Sequence, residues 1–345
     1  MSQILPPKPP LPSSHSPQRN LTQSPFSWLH AFWKFSRPHT IIGTSLSILG
    51  LYLIALSENG GWKILSPLTS HPSSFILHLS FFILPLLTCL CGNIYIVGLN
   101  QIEDVEIDRI NKPHLPLASG EFSRRQGWAI VATTGILAIV LSAMQGYFLM
   151  GTVWLSLLIG TAYSLPPIRL RRFPVWASLC IFSVRGAIVN LGLFLHFNQQ
   201  LHLPSSLHLP STFHLPIPSS VWALALFILI FTFAIAIFKD IPDLEGDRLY
   251  HITTFTVRLG QKAVFNLARS VLTVCYLGMI LAGLWLPDIN SAFLVITHLL
   301  ALGALWIMSL KVDLPNKTSI ARFYQVIWKL FFLEYLIVPI ACLLK

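Results

Sequence analysis

Residues 75–121 read F-I-L-H-L-S-F-F-I-L-P-L-L-T-C-L-C-G-N-I-Y-I-V-G-L-N-Q-I-E-D-V-E-I-D-R-I-N-K-P-H-L-P-L-A-S-G-E. The first part, 75–99, is apolar and uncharged, long enough to cross a hydrocarbon core of about 30 Å as a helix. It runs without a break into Glu103, Asp104, Glu106 and Asp108. A second apolar run, 219–238, ends in the same way, at K-D-I-P-D-L-E-G-D-R (Lys239–Arg248), 139 residues after Asn100. These two windows hold eight of the 13 acidic residues in the 345-residue chain. Such a concentration of charge in so apolar a chain is most simply explained by a bound cation.

The rest of the chain repeats the first part of that pattern. With 54% hydrophobic and 10% charged residues and a mean hydropathy of +0.68, the chain is far more apolar than a soluble domain. Nine spans are predicted, at 38–57, 75–99, 127–144, 148–165, 175–196, 219–238, 264–286, 291–310 and 323–343. Backbone groups inside lipid must be satisfied internally, and the strand alternation of a barrel is missing. The expected fold is therefore an all-α integral membrane bundle, one polytopic domain over 26–345. Residues 1–25, rich in Pro and Ser and without an acid, read as a disordered tail. Residues 26–37 mix aromatics with Lys34 and Arg37, as a helix at headgroup level does. A low-complexity His/Pro insert, 198–218, with a six-residue repeat over Leu201–Pro216, is given no catalytic role.

The net charge of +10 does not indicate nucleic acid. Nineteen cations of the loops and N-terminal segment fall on one side of the predicted spans, and the opposite loops hold Lys63 alone. That asymmetry orients the chain with its N-terminus and both acidic windows on the cytoplasmic face. The five cysteines sit in apolar segments at spacings that fit neither disulfides nor zinc.

Asn100, Asp104 and Asp108 are spaced i, i+4, i+8, and Asp240, Asp243 and Asp247 i, i+3, i+7, so each series is expected on one helical face. Two carboxylates about 6 Å apart repel by roughly 3 kcal/mol at an effective dielectric of about 20. Rows of them beside lipid require protons, salt bridges or cations. Hard oxygen donors without clustered His or Cys favour Mg²⁺. Cations flank the carboxylates, with Arg109 and Lys112 after the first window and Lys239 and Arg248 around the second. Metal-binding carboxylates beside basic side chains suit a diphosphate leaving group. A solvated, salt-bridged pair of loops would account for one window less awkwardly than for two. The even spacing also admits a cation-coupled transporter with repeated halves, although transporters usually place their charges near the midplane.

At these residues the sequence resembles the UbiA family of membrane prenyltransferases, and within it the branch that prenylates homogentisate. The resemblance rests on N-x-x-x-D-x-x-x-D running into R-I-N-K-P-x-L-P-L-A-S-G-E. Supporting segments are residues 35–44 (F-S-R-P-H-T-I-I-G-T), 162–171 (A-Y-S-L-P-P-I-R-L-R), 239–248 and 323–335 (F-Y-Q-V-I-W-K-L-F-F-L-E-Y). It implies nine helices around a central cavity capped by the two motifs. Asn100, Asp104, Asp108, Asp240, Asp243 and Asp247 would hold Mg²⁺ on the diphosphate of phytyl diphosphate. Lys112, Lys239, Arg37, Arg109 and Arg248 would be further contacts, and Arg169 and Arg172 would cover the mouth. Homogentisate would then be prenylated with loss of CO₂. A geranylgeranyl or solanesyl donor, or another aromatic acceptor, is the alternative within the family. The short segment before residue 26 is similar to cyanobacterial members, implying a thylakoid or plasma membrane. Tyr95, Tyr163 and Phe238 are candidate aromatic faces for an allylic cation. Arg185, predicted mid-span where a charge costs about 2.5–3.5 kcal/mol to insert, is expected to meet either the homogentisate carboxylate or an internal partner.

Overall fold

The computed structural model describes residues 25–60, 72–202, 217–250 and 252–345. The tail over 1–24, Lys63 and the histidine–proline repeat at 203–216 lie outside the described residues. Every regular element among the described residues is helical. In chain order they are α1 (Pro25–Phe35), α2 (Pro38–Glu58), α3 (Pro72–Glu103), α4 (Val105–Asn111), α5 (Pro116–Ser119), α6 (Arg124–Met144), α7 (Tyr147–Ser164) and α8 (Pro174–Phe182). After α8, a π-helical turn (Ser183–Ile188) leads into α9 (Val189–His202). Then follow α10 (Ser219–Phe238), α11 (Leu244–Leu249), α12 (Phe255–Leu259), α13 (Gln261–Gly283), α14 (Ser291–Ser309) and α15 (Lys317–Leu343).

Nine segments of the described residues are long and apolar enough to cross a membrane, and each coincides with a predicted span. Only their ends differ: the second runs on to Glu103, the fifth to Leu201, and the ninth begins six residues early at Lys317. A helix continues into the interfacial region for as long as its backbone hydrogen bonds close, so hydropathy alone underestimates its ends. Exposed Ile136, Leu158, Leu226, Leu300 and Ile307 face outward, as the lipid-contacting surface of an integral membrane protein does. On α1, Phe26, Trp28, Leu29 and Trp33 are exposed while Ala31 and Phe35 are buried. That division matches the expected interfacial helix.

The core runs along α10, where Leu224, Ile228, Phe231, Ala234 and Phe238 are fully buried. This helix packs on α8, the π-turn and α13, while α2 packs on α15, α9 and α3. Two glycines let one helix backbone pack directly on another. Pro339 cannot donate to the Tyr335 carbonyl, and a Cβ on Gly50 of α2 would lie 2.7 Å from that oxygen; only glycine lets the two backbones meet there. At Gly186, a Cβ would lie 2.5 Å from the Leu229 Cα, which is backbone and cannot swing aside. Gly186→Ala is therefore expected to destabilise the bundle by about 2 kcal/mol, read as a lower unfolding temperature in detergent.

Ion pairs fix which helix ends lie together. Lys345 at the C-terminus bonds Glu58 at the end of α2, 3.0 Å away. At the opposite end, Arg37, just before α2, reaches Asn100. The two acidic windows share that second end. Within the bundle, His298 of α14 and Glu334 of α15 are buried against each other at 3.2 Å. Their bond satisfies polar groups that lipid could not.

Candidate active site

The sequence spacing places each acidic row on one helix; the structure breaks both. The α3 helix stops at Glu103, Asp104 takes a non-helical conformation, and α4 restarts at Val105. In the second window, Pro242 has no N–H to continue the ladder, so Asp240 and Asp243 lie on a turn before α11. The breaks fold both charged segments across the bundle end, where they touch. The Gly246 N–H donates to the Asn111 Oδ1 at 3.0 Å. The Lys112 ammonium lies 2.5 Å from Asp243 and 3.9 Å from Asp108, one cation held by both windows.

Beneath this lid lies a cavity of about 300 Å³. Its polar end is marked by Arg37, Asn100 and Lys239, and its wall includes Tyr163 and Arg185. Asn100 ties it to the lid: its amide donates to Asp104 at 2.9 Å and its carbonyl accepts from Arg37 at 3.4 Å. Arg169 donates to Asp104 at 3.2 Å, and Arg171 contacts the same carboxylate. Lys239 bonds the Tyr163 hydroxyl at 3.3 Å and lies 3.7 Å from Asp240. Arg37 and Arg169 both have positive φ, 52° and 39°. Non-glycine residues are held there only at a cost, and strain of this kind clusters at functional sites.

Asp104, Asp108 and Asp247 are all about 95% buried (4%, 5% and 5% exposed), yet their partners differ. Asp104 is salt-bridged, whereas Asp108 keeps one buried oxygen, Oδ2, with no hydrogen bond. Asp247 has no ion pair among the described residues. Burial raises the Asp108 carboxyl above its ordinary range, opposed by Arg37 and Lys112. Burial, reinforced by the charges of Asp240 and Asp243, pushes Asp247 up to about 7. Asp240 is raised by burial against the pull of Lys239, and burial lowers Arg171 to about 10.

The site thus joins salt-bridged and uncompensated carboxylates. Among the described residues, no three Asp, Glu, His or Cys side chains converge tightly enough to coordinate an ion by themselves. The donors are nevertheless all oxygen, one is orphaned and buried, and the carboxylates destabilise one another. That fits a hard cation taking one or two carboxylates and completing its shell with water and phosphate, as Mg²⁺ does.

Of the residues singled out in sequence, the structure brings Asn100, Asp104, Asp108, Lys112, Lys239, Asp240, Asp243 and Asp247 to one end, with Arg37 and Arg169. It does not bring Arg109, Arg172 or Arg248 to the cavity. Arg109 is exposed and pairs with Glu106, Arg172 bonds the Pro167 carbonyl and lies over Phe173, and Arg248 is exposed. Of the three aromatics named as candidates, Tyr95, Tyr163 and Phe238, only Tyr163 lines the cavity. Tyr95 bonds Thr161, and Phe238 is fully buried, stacked on Tyr324.

Two features have no assigned role in the sequence reading. Arg171, not Arg172, turns inward, because a tight 3₁₀ turn over Leu170–Arg172 decides which arginine faces the lid. The cavity wall also carries Tyr324, Trp328, Phe331 and Tyr335 of α15. Their 4-3-4 spacing, one helical stripe, is legible in the sequence. The guanidinium of Arg185 sits over Trp328 at 5.3 Å and over Phe331 at 5.6 Å. The π-turn sets it there, and Asn190 caps the turn by donating to the carbonyls of Arg185 and Gly186 at 2.9 and 2.7 Å.

The profile of the UbiA prenyltransferase family matches residues 68–334. The chain is 50% identical over 314 residues to homogentisate phytyltransferase of Synechocystis sp. (strain ATCC 27184 / PCC 6803 / Kazusa), covering 91% of this chain and 96% of that one. It is 41% identical over 330 residues to homogentisate phytyltransferase 1, chloroplastic, of Arabidopsis thaliana, covering 94% and 78%. Among solved structures, a UbiA homolog from Archaeoglobus fulgidus bound to GPP and Mg²⁺ superposes with a TM-score of 0.56 at 15% identity, over 90% of this chain and 99% of that one.

Proposed function

Because the chain belongs to the UbiA prenyltransferase family, we propose that it transfers the phytyl group of phytyl diphosphate to homogentisate, releasing diphosphate and CO₂ and giving 2-methyl-6-phytylbenzoquinol. That membership sets aside a transporter. The observation that carries the reading is the meeting of the two acidic windows through Lys112 above one apolar cavity. The substrates themselves are supported by the 50% identity to the Synechocystis enzyme of that name.

Asp104, Asp108, Asp243 and Asp247, with Asn100 and Asp240, would hold Mg²⁺. Bound there, the ion would neutralise the departing diphosphate. Lys112, Lys239, Arg37, Arg169 and Arg171 surround the same oxygens and supply the remaining positive charge. The exposed Arg109, Arg172 and Arg248 attract the anionic substrate to the mouth without entering it. The phytyl chain lies in the apolar cavity, where water cannot quench the allylic cation. The faces of Tyr163, Trp328 and Phe331 stabilise that cation. Arg185, half-buried beside aromatics and without a carboxylate partner among the described residues, takes the homogentisate carboxylate. The asymmetry of loop cations puts the mouth on the cytoplasmic face.

The test is incubation of membranes containing the protein with Mg²⁺, homogentisate and labelled phytyl diphosphate. Labelled methylphytylbenzoquinol is expected, abolished by EDTA and restored by Mg²⁺. Diphosphate release without a prenylated ring points to another acceptor, and faster use of geranylgeranyl diphosphate to another tail.

A further inference from the structure

The proposed reaction moves protons as well as a prenyl group. As the ring carbon bonds to the prenyl carbon, the carbon–oxygen bond to diphosphate breaks and its electrons leave with the diphosphate. The ring carbon then gives up its hydrogen as a proton, and the C–H electrons restore the aromatic ring. When CO₂ departs, the electrons of the broken C–C bond stay on the side-chain carbon, which takes up one proton to become a methyl group. One proton leaves the prenylated ring carbon and one arrives at the side-chain carbon, which is borne two ring positions away, across the intervening C–OH. A single group that accepts the first and donates the second ends the cycle as it began.

The cavity contains one side chain suited to this exchange. Arg37, Arg185 and Lys239 are cations and cannot accept a proton, and no carboxylate lines the wall. Phenols and thiols there are weaker proton acceptors near neutral pH than an imidazole. His39, in the first turn of α2, lines the cavity, and neither ring nitrogen has a hydrogen-bond partner among the described residues. Its ring packs on Trp328 at 4.8 Å between centroids, and Arg185 lies over the same indole at 5.3 Å. One helical turn along α2, the Cβ position of Gly43 is 3.4 Å from the Arg185 guanidinium. His39 and Arg185 thus share the Trp328 indole on one wall of the cavity, so one substrate can meet both.

We propose that His39 is the proton-transfer residue of this site, taking the ring proton and returning it to the side-chain carbon as CO₂ leaves. This rests on the proposed function and deepens it. The experiment compares wild type, His39→Ala and His39→Gln in membranes with Mg²⁺, homogentisate and phytyl diphosphate. General acid–base catalysis contributes about 10²–10⁴-fold, so kcat is expected to fall by that factor in both variants. KM for both substrates stays within about threefold, and added imidazole recovers part of the His39→Ala turnover but none of the His39→Gln turnover. Gln keeps the bulk and hydrogen bonding of the ring, so its loss at an unchanged unfolding temperature excludes a packing role. Retention of more than about a tenth of turnover in either folded variant overturns the assignment. So does a loss that appears as a raised homogentisate KM and does not respond to imidazole. Wild type that leaves homogentisate unchanged defeats the parent reading instead, and this inference with it.

Discussion

Asp108→Asn and Asp247→Asn are each expected to lower turnover by at least about 10³-fold while the protein still inserts and folds. Asp108 carries a buried oxygen with no partner, and Asp247 is buried without an ion pair and pushed up to about 7. Asp108 has only the long contact to Lys112 to offset its burial, and Asp247 has no ion pair among the described residues. Removing one electrostatic stabiliser of a transition state typically costs about 10²–10³-fold, and a metal ligand that also positions the diphosphate sits at or above the top of that range. Stability gives an independent readout. Ionising Asp247 costs more in the folded than in the unfolded chain, a penalty that builds between its ordinary value of 3.8 and about 7. Without divalent cations, Asp247→Asn is therefore expected to unfold at a higher temperature than wild type above about pH 7, with the gain fading toward pH 4. Asp104→Asn and Asp243→Asn should also lose turnover but gain no stability, because each abandons a cation: Arg169 and Arg171 in one case, Lys112 in the other. Retained activity in the Asp108 and Asp247 variants would undo the assignment of the lid.

Arg185→Ala is expected to raise the homogentisate KM by about 30-fold to 4×10³-fold, with a much smaller change in KM for phytyl diphosphate. Losing one partner of a buried, hydrogen-bonded charge pair costs about 2–5 kcal/mol, and that range converts to the stated factor. Arg185 makes no salt bridge among the described residues; its guanidinium lies over the faces of Trp328 and Phe331. Arg185→Lys should recover part of the affinity, since charge survives but the fork and the ring stacking do not. Steady-state kinetics with each substrate varied in turn separates the outcomes. Equal rises in both KM values, or loss of the folded protein at unchanged KM, would make Arg185 a structural residue of the π-turn.

Much of this was legible before any helix was placed. Each of the nine spans follows from an apolar run, because lipid permits a backbone few other solutions. The sharing of one end by Asp104 and Asp247 follows from span parity and from the loop cations. Arg185 was marked out because a mid-span charge needs a reason. Other features were not legible. Periodicity assumes an unbroken helix, so it put Asp240 and Asp243 on a helical face where Pro242 forces a turn. Adjacent arginines look alike in a sequence, yet the 3₁₀ turn sends Arg171 to Asp104 and Arg172 to the surface. Tyr95 and Phe238 adjoin the windows in the chain, but helix packing turns Tyr95 to Thr161 and buries Phe238, and neither lines the cavity.

By itself the sequence determined composition-level facts: a helical membrane bundle and two carboxylate-rich segments at a common end. Hydropathy and charge act on each segment separately, and the bilayer reads them one span at a time. Only the tertiary structure decided which side chains meet. The Lys112 bridge between windows, the uncompensated oxygen on Asp108, and the placing of His39 and Arg185 on one indole each depend on contacts between distant segments. No local propensity encodes such contacts; they arise where helix breaks and close glycine packing bring separate elements together.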